Sequence, residues 1–455
     1  MVLTFQGLAD GIDSIGERIE DLNLDRQEPV AVSITNRLFM LTTVFALLRN
    51  GYSVAPVSAR RHPFLASAGI RNMIYDREGL VISQGRNIRF DPSWLPKPQP
   101  GLSRTYRARP ATDSNLIFFT SGTTGLPKKV IQTADVIEER LTSPDACGTG
   151  AYRKVLILTS PATAFGFNFA CEVLNVGKTV CFSLPGRALS LINLFGIEVI
   201  VAAPAQALLL AETKKQNSGY RVDSLKAIFI GGGKIDSGGI RRIRTALCRN
   251  VINYYGSTEA GACIRSPFDR IGDAPGGIPL PGVEAEIVDD TDRQVPVGVE
   301  GLVRLRTPQL AATLKAVGSE KLSGVRDGWF YPGDLGSLDN DGTLHVLGRS
   351  SDVINRSGFK VSGRRIEEIL QALPEIEEAA ACGIIGKTGV EELWIGVVPK
   401  GAIDVERIKI LLSEHNDVQI CPDEIIVMDE LPRGELGKVQ RPLLKDLMLN
   451  MKKGG

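Results

Sequence analysis

Short, mainly apolar runs alternate along the chain with longer segments in which apolar residues recur every three or four positions. Residues 30–34, 155–159, 199–203 and 227–230 form such runs, whose length and β-branched content are typical of strands buried on both faces. Residues 39–48, between two of the predicted strands, have helical spacing. The pattern predicts an α/β fold in which helices cover a largely parallel sheet.

The pattern of apolar and turn-forming residues changes near Gly282. Short alternating strands separated by turn-rich segments follow, which predicts a β-rich subdomain. After residue 348 a strand, a turn and an amphipathic helix begin an α+β unit of a size that can fold alone. We therefore predict a large N-terminal domain of layered sheets and helices, residues 1–348, and a small C-terminal α+β domain, residues 349–455. Residues 64–110 are Pro-rich and weakly patterned, and we assign them no function.

Composition narrows the class of protein. The 455 residues contain 53 Lys plus Arg against 52 Asp plus Glu, so no basic field favours a nucleic-acid partner. Seven scattered cysteines without a CxxC pair, and only three histidines, argue against a disulfide framework and a zinc site. The acidic N-terminus is unlike a secretory signal, and no apolar stretch approaches the roughly 20 residues of a membrane span. We expect a cytoplasmic protein.

The most distinctive segment is NLIFFTSGTTGLPKKV, residues 115–130. A predicted buried strand runs directly into a glycine- and hydroxyl-rich loop, which favours a polyphosphate cradle of backbone N–H groups, hydroxyls and one ammonium group. The candidate phosphate ligands are Thr120, Ser121, Gly122, Thr123, Thr124, Gly125 and Lys128. A hydroxyl-rich hairpin turn is an equally good interpretation of the composition. A Walker loop is excluded because no Gly-Lys pair stands at its required interval.

SGTTGLPKK resembles the phosphate-binding loop of the adenylate-forming superfamily, which contains acyl-CoA synthetases, the adenylation domains of nonribosomal peptide synthetases and firefly luciferases. Further segments resemble that family in the same order. They are GGGKI from residue 231, YYGSTEAG from 254, GWFYPGDLG from 328 with GRSSDVINRSGFKV after it, and PRGELGKVQR from 432. The resemblance spans residues 116–441 and is weakest before residue 110.

For the nucleotide, the resemblance implies that Tyr255 packs on adenine beside Gly256, Thr258 donates a hydrogen bond to the α-phosphate and Glu259 helps to hold Mg²⁺. A carboxylate beside a hydroxyl suits that hard cation. A strand-ending turn with a solvated glutamate is the plainer alternative. The backbone that passes close to the adenine and the acyl group is that of Gly231, Gly232 and Gly233, although a triple glycine after a strand is often a tight turn.

Three residues toward the C-terminus complete the implied site. Asp334 resembles the carboxylate that accepts both ribose hydroxyls, and Arg349 the residue that reaches the ribose or phosphate; a turn cap and a surface charge are the alternatives. Lys438 resembles the catalytic lysine on a mobile C-terminal loop, where an ammonium group stabilises charge that develops between the carboxylate and the α-phosphate. Without its PRGELGKV frame it would be an ordinary surface lysine.

The resemblance implies two half-reactions with ATP and Mg²⁺. A small carboxylic acid attacks the α-phosphorus to give an acyl adenylate and pyrophosphate, and then a thiol, of CoA or of a phosphopantetheine arm, attacks the adenylate. No protein nucleophile is needed, and the sequence has no GxSxG elbow. Between the steps the C-terminal domain rotates, which moves Lys438 out and the Gly358 loop in. The pivot aligns with Ser351, where the family usually has Asp or Lys.

Other departures concern the substrate. Where the family often has Pro-x-x-His, this chain has SPATAFGFNFA. Phe165 and Phe167 either line an aromatic acyl pocket or belong to the packed core. The segment lacks the Asp that holds the ammonium group of an amino acid, which favours an acyl or aryl acid, and Lys129 replaces a usual glycine. Three functions stay open: an acid:CoA ligase, an enzyme that loads an acyl carrier protein, and a catalytically degenerate nucleotide-binding protein.

Overall fold

The computed structural model describes most of the chain. The described residues are 3–59, 65–79, 81–82, 85–96, 114–120, 128–142, 148–233, 235, 237–267, 276–310, 324–350, 353–356, 359–386, 391–414, 421–434 and 437–454. They form two compact units. The first contains residues 1–284 and 305–330, and the second contains residues 285–304 and 331–455.

Two largely parallel sheets form the first unit. Its strands up to residue 279 are β1 Val30–Ser33, β2 Val54–Pro56, β3 Asn72–Tyr75, β4 Arg86–Arg89, β5 Leu116–Thr120, β6 Lys128–Gln132, β7 Lys154–Ile157, β8 Thr179–Phe182, β9 Val199–Ala202, β10 Ala227–Gly231, β11 Val251–Ser257, β12 Gly261–Pro267 and β13 Ile278–Pro279. One sheet has the order β4-β3-β1-β2-β5-β6 and the other β13-β12-β11-β10-β9-β7-β8. The antiparallel pairs lie at the edges, where β5 meets β6 and β12 meets β11 and β13.

Helices of the first unit connect and cover these strands. They are α1 Phe5–Asp21, α2 Arg37–Arg49, α3 Ala134–Thr142, α4 Ala164–Asn175, α5 Pro185–Phe195, α6 Pro204–Gln216 and α7 Ser237–Ala246. Polar side chains start several of them: Asn36 Oδ1 accepts from the backbone N–H of Leu38 at 3.0 Å, and Thr163 Oγ1 accepts from that of Gly166 at 3.1 Å. These caps satisfy N–H groups that the first turn leaves without a partner.

The β7-β9-β10 region is buried on both faces, as the apolar runs predict. Alternate residues enter two different core clusters, because successive side chains of a strand point to opposite faces. One cluster contains Val155, Ile157, Val199, Val201 and Phe229, and the other contains Leu156, Ile200, Ala202, Ile228 and Ile230. The first cluster also includes residues of α1, α2 and α4 and of the other sheet. It is therefore the layer that joins the two sheets.

The chain then enters a region of short strands. They are β14 Glu284–Val288, β15 Gly301–Arg306, β16 Val325–Arg326, β17 Trp329–Phe330, β18 Asp334–Leu338 and β19 Leu344–Arg349. In the second unit the start of β15 pairs with β18, and β18 pairs with β19, both antiparallel. In the first unit Leu305 pairs with Phe330. The β-rich region expected after Gly282 is present.

The rest of the second unit is an α+β body. Its elements are β20 Val353–Arg356, β21 Phe359–Ser362, α8 Gly363–Gln371, β22 Ile376–Ile385, β23 Glu391–Pro399, α9 Val405–Glu414, β24 Glu424–Val427 and α10 Arg441–Gly454. The β22-β23-β24 sheet contributes to one core cluster with α8 and α9 and to another with α10. Helices thus cover both of its faces.

The α/β class and the smaller C-terminal α+β body confirm the predicted fold class. Residues 349–455 all fall in the second unit; the domain boundary after residue 348 stays a proposal. Within the described part of the chain, none of the helices combines the length and apolar character that a membrane crossing needs.

Candidate active site

The first candidate ligands lie where β5 ends. Thr120 is the last residue of β5 and pairs in register with Lys128, the first residue of β6. Ser121, Gly122, Thr123, Thr124 and Gly125 lie outside the described residues, as does the side chain of Lys128.

Lys129, the extra lysine of the motif, is the second residue of β6 and is half-buried. Its Nζ donates to the carbonyl of Ala68 at 3.5 Å, and partial burial lowers its pKa. The ammonium group of this lysine is therefore engaged with the backbone of Ala68.

The carboxyl ends of β10 and β11 bring two further motifs together. The strands are parallel neighbours, and Gly231 pairs with Tyr254, one residue before Tyr255. Ligands of open parallel sheets bind at this edge. Gly232 has a φ of +75°, a left-handed conformation that favours glycine. The fold thus places the Gly231, Gly232 and Gly233 backbone beside the strand that carries Tyr255.

Thr258 and Glu259 form part of a tight hairpin loop. The register of β11 and β12 pairs Ser257 with Gly261, so the loop contains only residues 258–260. The backbone N–H of Ala260 donates to Ser257 Oγ at 3.0 Å, and Gly261 has a φ of +74°, a conformation that short hairpins use after a turn. Both Thr258 and Glu259 are half-buried. The two predicted ligands are therefore held next to each other on a short loop.

Gly256 makes this close return of the chain feasible. A Cβ at this position would lie 2.0 Å from the carbonyl oxygen of Gly261, so any side chain here would push β11 and β12 apart. The register shifts between Tyr255 and Gly256, as at a β-bulge. We conclude that Gly256 shapes the hairpin.

Two buried polar side chains donate hydrogen bonds to the backbone of this loop. Arg140 Nη2 lies 3.2 Å from the carbonyl oxygens of both Thr258 and Glu259, and Gln132 Nε2 lies 3.4 Å from that of Thr258. The sequence motifs did not point to either residue. The available signal was in α3: Arg140 stands four residues after buried Val136, on the apolar side of the helix.

The two candidate pocket phenylalanines have different environments. Phe167 is 1% exposed and packs edge-on against Phe45 and Phe118, with ring centroids 6.0 and 5.9 Å away. Phe165 is half-buried and lies against the backbone of Gly231, where a Cβ would be 2.4 Å from its Cε2. Phe167 is thus core, whereas Phe165 borders the glycine motif.

Asp334 and Arg349 form an ion pair in the second unit. They are register partners across β18 and β19, and Arg349 Nε lies 3.1 Å from Asp334 Oδ1. Asp334 is 5% exposed, whereas half of the Arg349 side chain reaches solvent. A second nitrogen, Nη1 of Arg349, donates to the carbonyl of Pro332. The pair fixes the direction of a buried carboxylate.

Lys438 lies on a hairpin loop of the same unit. Its carbonyl accepts from the N–H of Gly434 at 2.7 Å, and the Gln440 N–H donates to the carbonyl of Pro432 at 2.7 Å. The residue has a large accessible surface, yet protein atoms crowd its ammonium group. Desolvation and the charge of Arg349 lower its pKa, and Asp334 opposes that shift. Lys438, Arg349 and Asp334 therefore interact electrostatically.

The donors on the hairpin loop fit a nucleotide-borne Mg²⁺. Glu259 supplies carboxylate oxygens and Thr258 a hydroxyl, and Mg²⁺ in proteins is commonly held by one or two carboxylates together with substrate phosphates. No group of three His, Cys, Asp or Glu side chains suited to a metal occurs in the described part of the chain. An all-protein metal cage is therefore not what these residues form.

Known proteins resemble the chain over nearly all of its length. It is 26% identical to a salicylyl-CoA synthase / salicylate adenylyltransferase of a Streptomyces species, over 98% of this chain and 89% of the relative. It is 31% identical to the salicyl-AMP ligase / salicyl-S-ArCP synthetase of Mycobacterium tuberculosis, over 72% of this chain and 60% of the relative.

The fold has close solved counterparts as well. The O-succinylbenzoate coenzyme A synthetase of Bacillus subtilis, solved with ATP and a magnesium ion, aligns with a TM-score of 0.82 at 23% identity, covering 98% of this chain and 95% of that one. Residues 2–314 match the family described as AMP-binding enzyme, and residues 365–438 match the AMP-binding enzyme C-terminal domain. This confirms the resemblance drawn from the motifs: the chain belongs to the AMP-binding, adenylate-forming family of enzymes.

Proposed function

We propose that the protein is an acid–thiol ligase that activates a carboxylic acid with ATP, releases pyrophosphate and transfers the acyl group from the adenylate to the thiol of CoA. One observation carries this proposal. Thr258 and Glu259 stand side by side on a short loop after β11, at the ligand-binding edge of a parallel sheet. That arrangement suits an ATP phosphate and the magnesium ion bound to it.

Activation needs no covalent bond to the protein. A carboxylate oxygen forms a bond to the α-phosphorus, and the bond from that phosphorus to the β-phosphate oxygen breaks. The Thr258 hydroxyl donates to an α-phosphate oxygen, and the Lys438 ammonium offsets the charge that develops there. Glu259 would help to hold Mg²⁺, and the ion, when bound, would supply positive charge beside the departing phosphates.

The remaining assignments rest on the family resemblance. Asp334 accepts the ribose hydroxyls, Arg349 orients that carboxylate and reaches the ribose or phosphate, and Tyr255 packs on adenine. The β- and γ-phosphates are held by the residues of the glycine-rich loop, namely Thr120, Ser121, Gly122, Thr123, Thr124, Gly125 and Lys128. In the second half-reaction the thiol sulfur attacks the acyl carbonyl and AMP leaves.

An aromatic acid is the substrate class that the aromatic surroundings favour. Phe165 lies against Gly231 and packs edge-on with Phe169, with ring centroids 4.8 Å apart. Aromatic rings prefer such edge-to-face and offset contacts with other rings. The relatives named for salicylate support the same class.

The acceptor has a second candidate. One relative is named as a salicyl-S-ArCP synthetase, which supports a thiol carried on a protein-bound phosphopantetheine arm. Both acceptors present the same sulfur chemistry. A direct competition decides between them: free CoA and a phosphopantetheinylated carrier protein are offered to the enzyme together with acid and ATP, and the thioester products are separated.

The activation itself is tested by pyrophosphate release and hydroxamate formation over a panel of aromatic and aliphatic acids. We expect the largest signal with a small aromatic acid, and no release when acid is omitted. Release with aliphatic acids alone would contradict the substrate class. ATP binding without turnover of any acid would instead indicate a degenerate nucleotide-binding protein.

We also propose a cytoplasmic location. The cysteines that the structure describes are free thiols, at positions 171, 181, 248, 263, 382 and 421. Burial raises the pKa of Cys263 to about 12, which keeps that thiol neutral and unreactive. Free thiols of this kind are usual in a reducing compartment.

A further inference from the structure

Arg140 is a buried cation directly behind the candidate magnesium loop. Its residue is 7% exposed, and desolvation lowers its pKa to about 10, so it stays protonated near neutral pH. Burying a charge is costly unless hydrogen bonds and opposite charges compensate it. Packing alone therefore does not account for a charged side chain at position 140.

Only one of the three guanidinium nitrogens of Arg140 has a hydrogen-bond partner among the described residues. Nη2 donates to the carbonyls of Thr258 and Glu259, at 3.2 Å each, whereas Nε and Nη1 have no hydrogen-bond partner among the described residues. Among charged groups, the Glu259 carboxylate interacts favourably with it, whereas the nearby Cys263 thiol is neutral. No described carboxylate lies within ion-pair distance of the guanidinium. The result is a positive charge facing the backbone of one short loop.

Neighbouring residues make that contact specific. Gln132, fully buried on β6, donates to the same Thr258 carbonyl. Gly261 gives the arginine room: a Cβ there would lie 3.4 Å from Arg140 Nε and 2.2 Å from Gln309 Oε1. A planar guanidinium with several donors can hold two adjacent carbonyls, which a lysine ammonium does with less geometric constraint.

We propose that Arg140 is a positioning residue that clamps the peptide between Thr258 and Glu259, so that the hydroxyl and the carboxylate of this loop face ATP and its magnesium ion. This inference rests on the proposed function, and it assigns a role to a side chain that touches neither substrate nor metal. Outer partners of this kind commonly change metal affinity by 10- to 100-fold when removed.

The test uses the full chain with Mg²⁺ and ATP as the probes, and needs no knowledge of the acid. Arg140→Met removes both the charge and the donors, whereas Arg140→Lys keeps the charge. Arg37→Met is the matched control, because Arg37 is a partly buried arginine whose pKa is also lowered by desolvation. Its Nη1 donates to the carbonyls of Ile157 and Ser183, at 3.2 and 2.5 Å.

Three quantities are measured for each variant: the Tm, the Mg²⁺ concentration for half-maximal ATP binding by calorimetry, and hydrogen exchange of a peptide spanning residues 257–263. For Arg140→Met we expect about a tenfold higher Mg²⁺ requirement and faster exchange in that peptide. Arg140→Lys should fall between it and the wild type. Arg37→Met should lower the Tm while ATP binding keeps its Mg²⁺ dependence.

Two results would overturn the inference. One is a wild-type Mg²⁺ requirement in Arg140→Met, or in Arg140→Lys if the methionine variant does not fold. The other is an equal rise in the Mg²⁺ requirement in Arg37→Met, since general destabilisation would then explain the effect. Failure of the wild type to bind ATP would contradict the proposed function instead, and hydrogen exchange would still show whether Arg140 holds the loop.

Discussion

Arg349 Nε lies 3.1 Å from Asp334 Oδ1, and the two residues are register partners on adjacent antiparallel strands. The strand pairing, and not the side chains alone, sets this distance, since directly opposed residues have Cβ atoms about 5 Å apart. One carboxylate oxygen is thereby engaged by the arginine, and the group is held in a single orientation toward the ribose that we propose it binds.

Replacing Asp334 by Asn should weaken ATP binding. The amide has one acceptor oxygen and loses the charge that strengthens hydrogen bonds, so we expect the KM for ATP to rise about tenfold. Steady-state pyrophosphate release measures it. Asp339→Asn is the control, because Asp339 follows the same strand and contacts His345 at 2.7 Å. An equal rise in both variants would contradict the ribose assignment.

Removing the ammonium group of Lys438 should slow only the first half-reaction. We expect Lys438→Ala to reduce adenylation about a hundredfold or more, as removal of an oxyanion donor does, and to leave thioester formation from supplied acyl adenylate largely intact. Lys409→Ala, which breaks a surface ion pair with Glu406, should change neither step. Equal losses in both half-reactions would show that Lys438 is structural.

The pH profile of adenylation should report the same lysine. Desolvation and Arg349 lower the pKa of Lys438, so the ammonium loses its proton as pH rises through a value below that of an ordinary lysine. Activity should therefore fall on the alkaline side earlier than usual lysine titration predicts. In Lys438→Arg, whose charge persists at high pH, that alkaline decline should disappear. An unchanged profile would assign the decline to another group.

Glu259→Gln should raise the Mg²⁺ requirement, because an amide oxygen is a weaker ligand for a hard cation than a carboxylate. The measurement is the Mg²⁺ concentration at half-maximal pyrophosphate release, and we expect an increase of about tenfold. Glu284→Gln serves for comparison, since Glu284 is exposed and pairs with Arg306. The same Mg²⁺ dependence in the wild type, Glu259→Gln and Glu284→Gln would contradict the assignment of Glu259 to the magnesium site.

Substitutions of Phe165 and Phe167 should affect different properties, substrate preference and stability respectively. Phe165→Ala opens space beside Gly231, and we expect the preference between bulky and small aromatic acids to shift about tenfold in kcat/KM. Phe167→Ala should instead lower the free energy of unfolding by about 3–5 kcal/mol, as buried Phe to Ala changes do, with acid preference retained. Acid panels and denaturant titrations distinguish the two outcomes.

Much of the fold follows from sequence because double burial leaves a strong pattern. The runs around Val155, Val199 and Ala227 are almost entirely apolar, and both faces of their strands enter a core. The difference between Phe165 and Phe167 has no such signal. Both are apolar, and only their helical phase in α4, two residues or about 200° apart, directs one inward and the other toward the glycine motif.

The candidate site shows a similar division. Motif residues such as Thr258 and Glu259 can be recognised in the sequence because their own side chains carry the proposed ligand groups. Arg140 is not, since it acts through the carbonyl groups of other residues, and any residue type has a carbonyl. Only a folded chain shows that this arginine, more than a hundred positions earlier, returns to their loop.

Arg433 connects the hairpin that carries Lys438 to the sheet of the same unit. Arg433 joins its base to Glu378 on β22 at 2.5 Å and also donates to the carbonyl of Gly437. These contacts tie the segment that carries the lysine to β22. If the lysine enters and leaves the active site during turnover, as the family resemblance implies, we expect it to travel with this sheet, so that the motion of one body would govern both half-reactions.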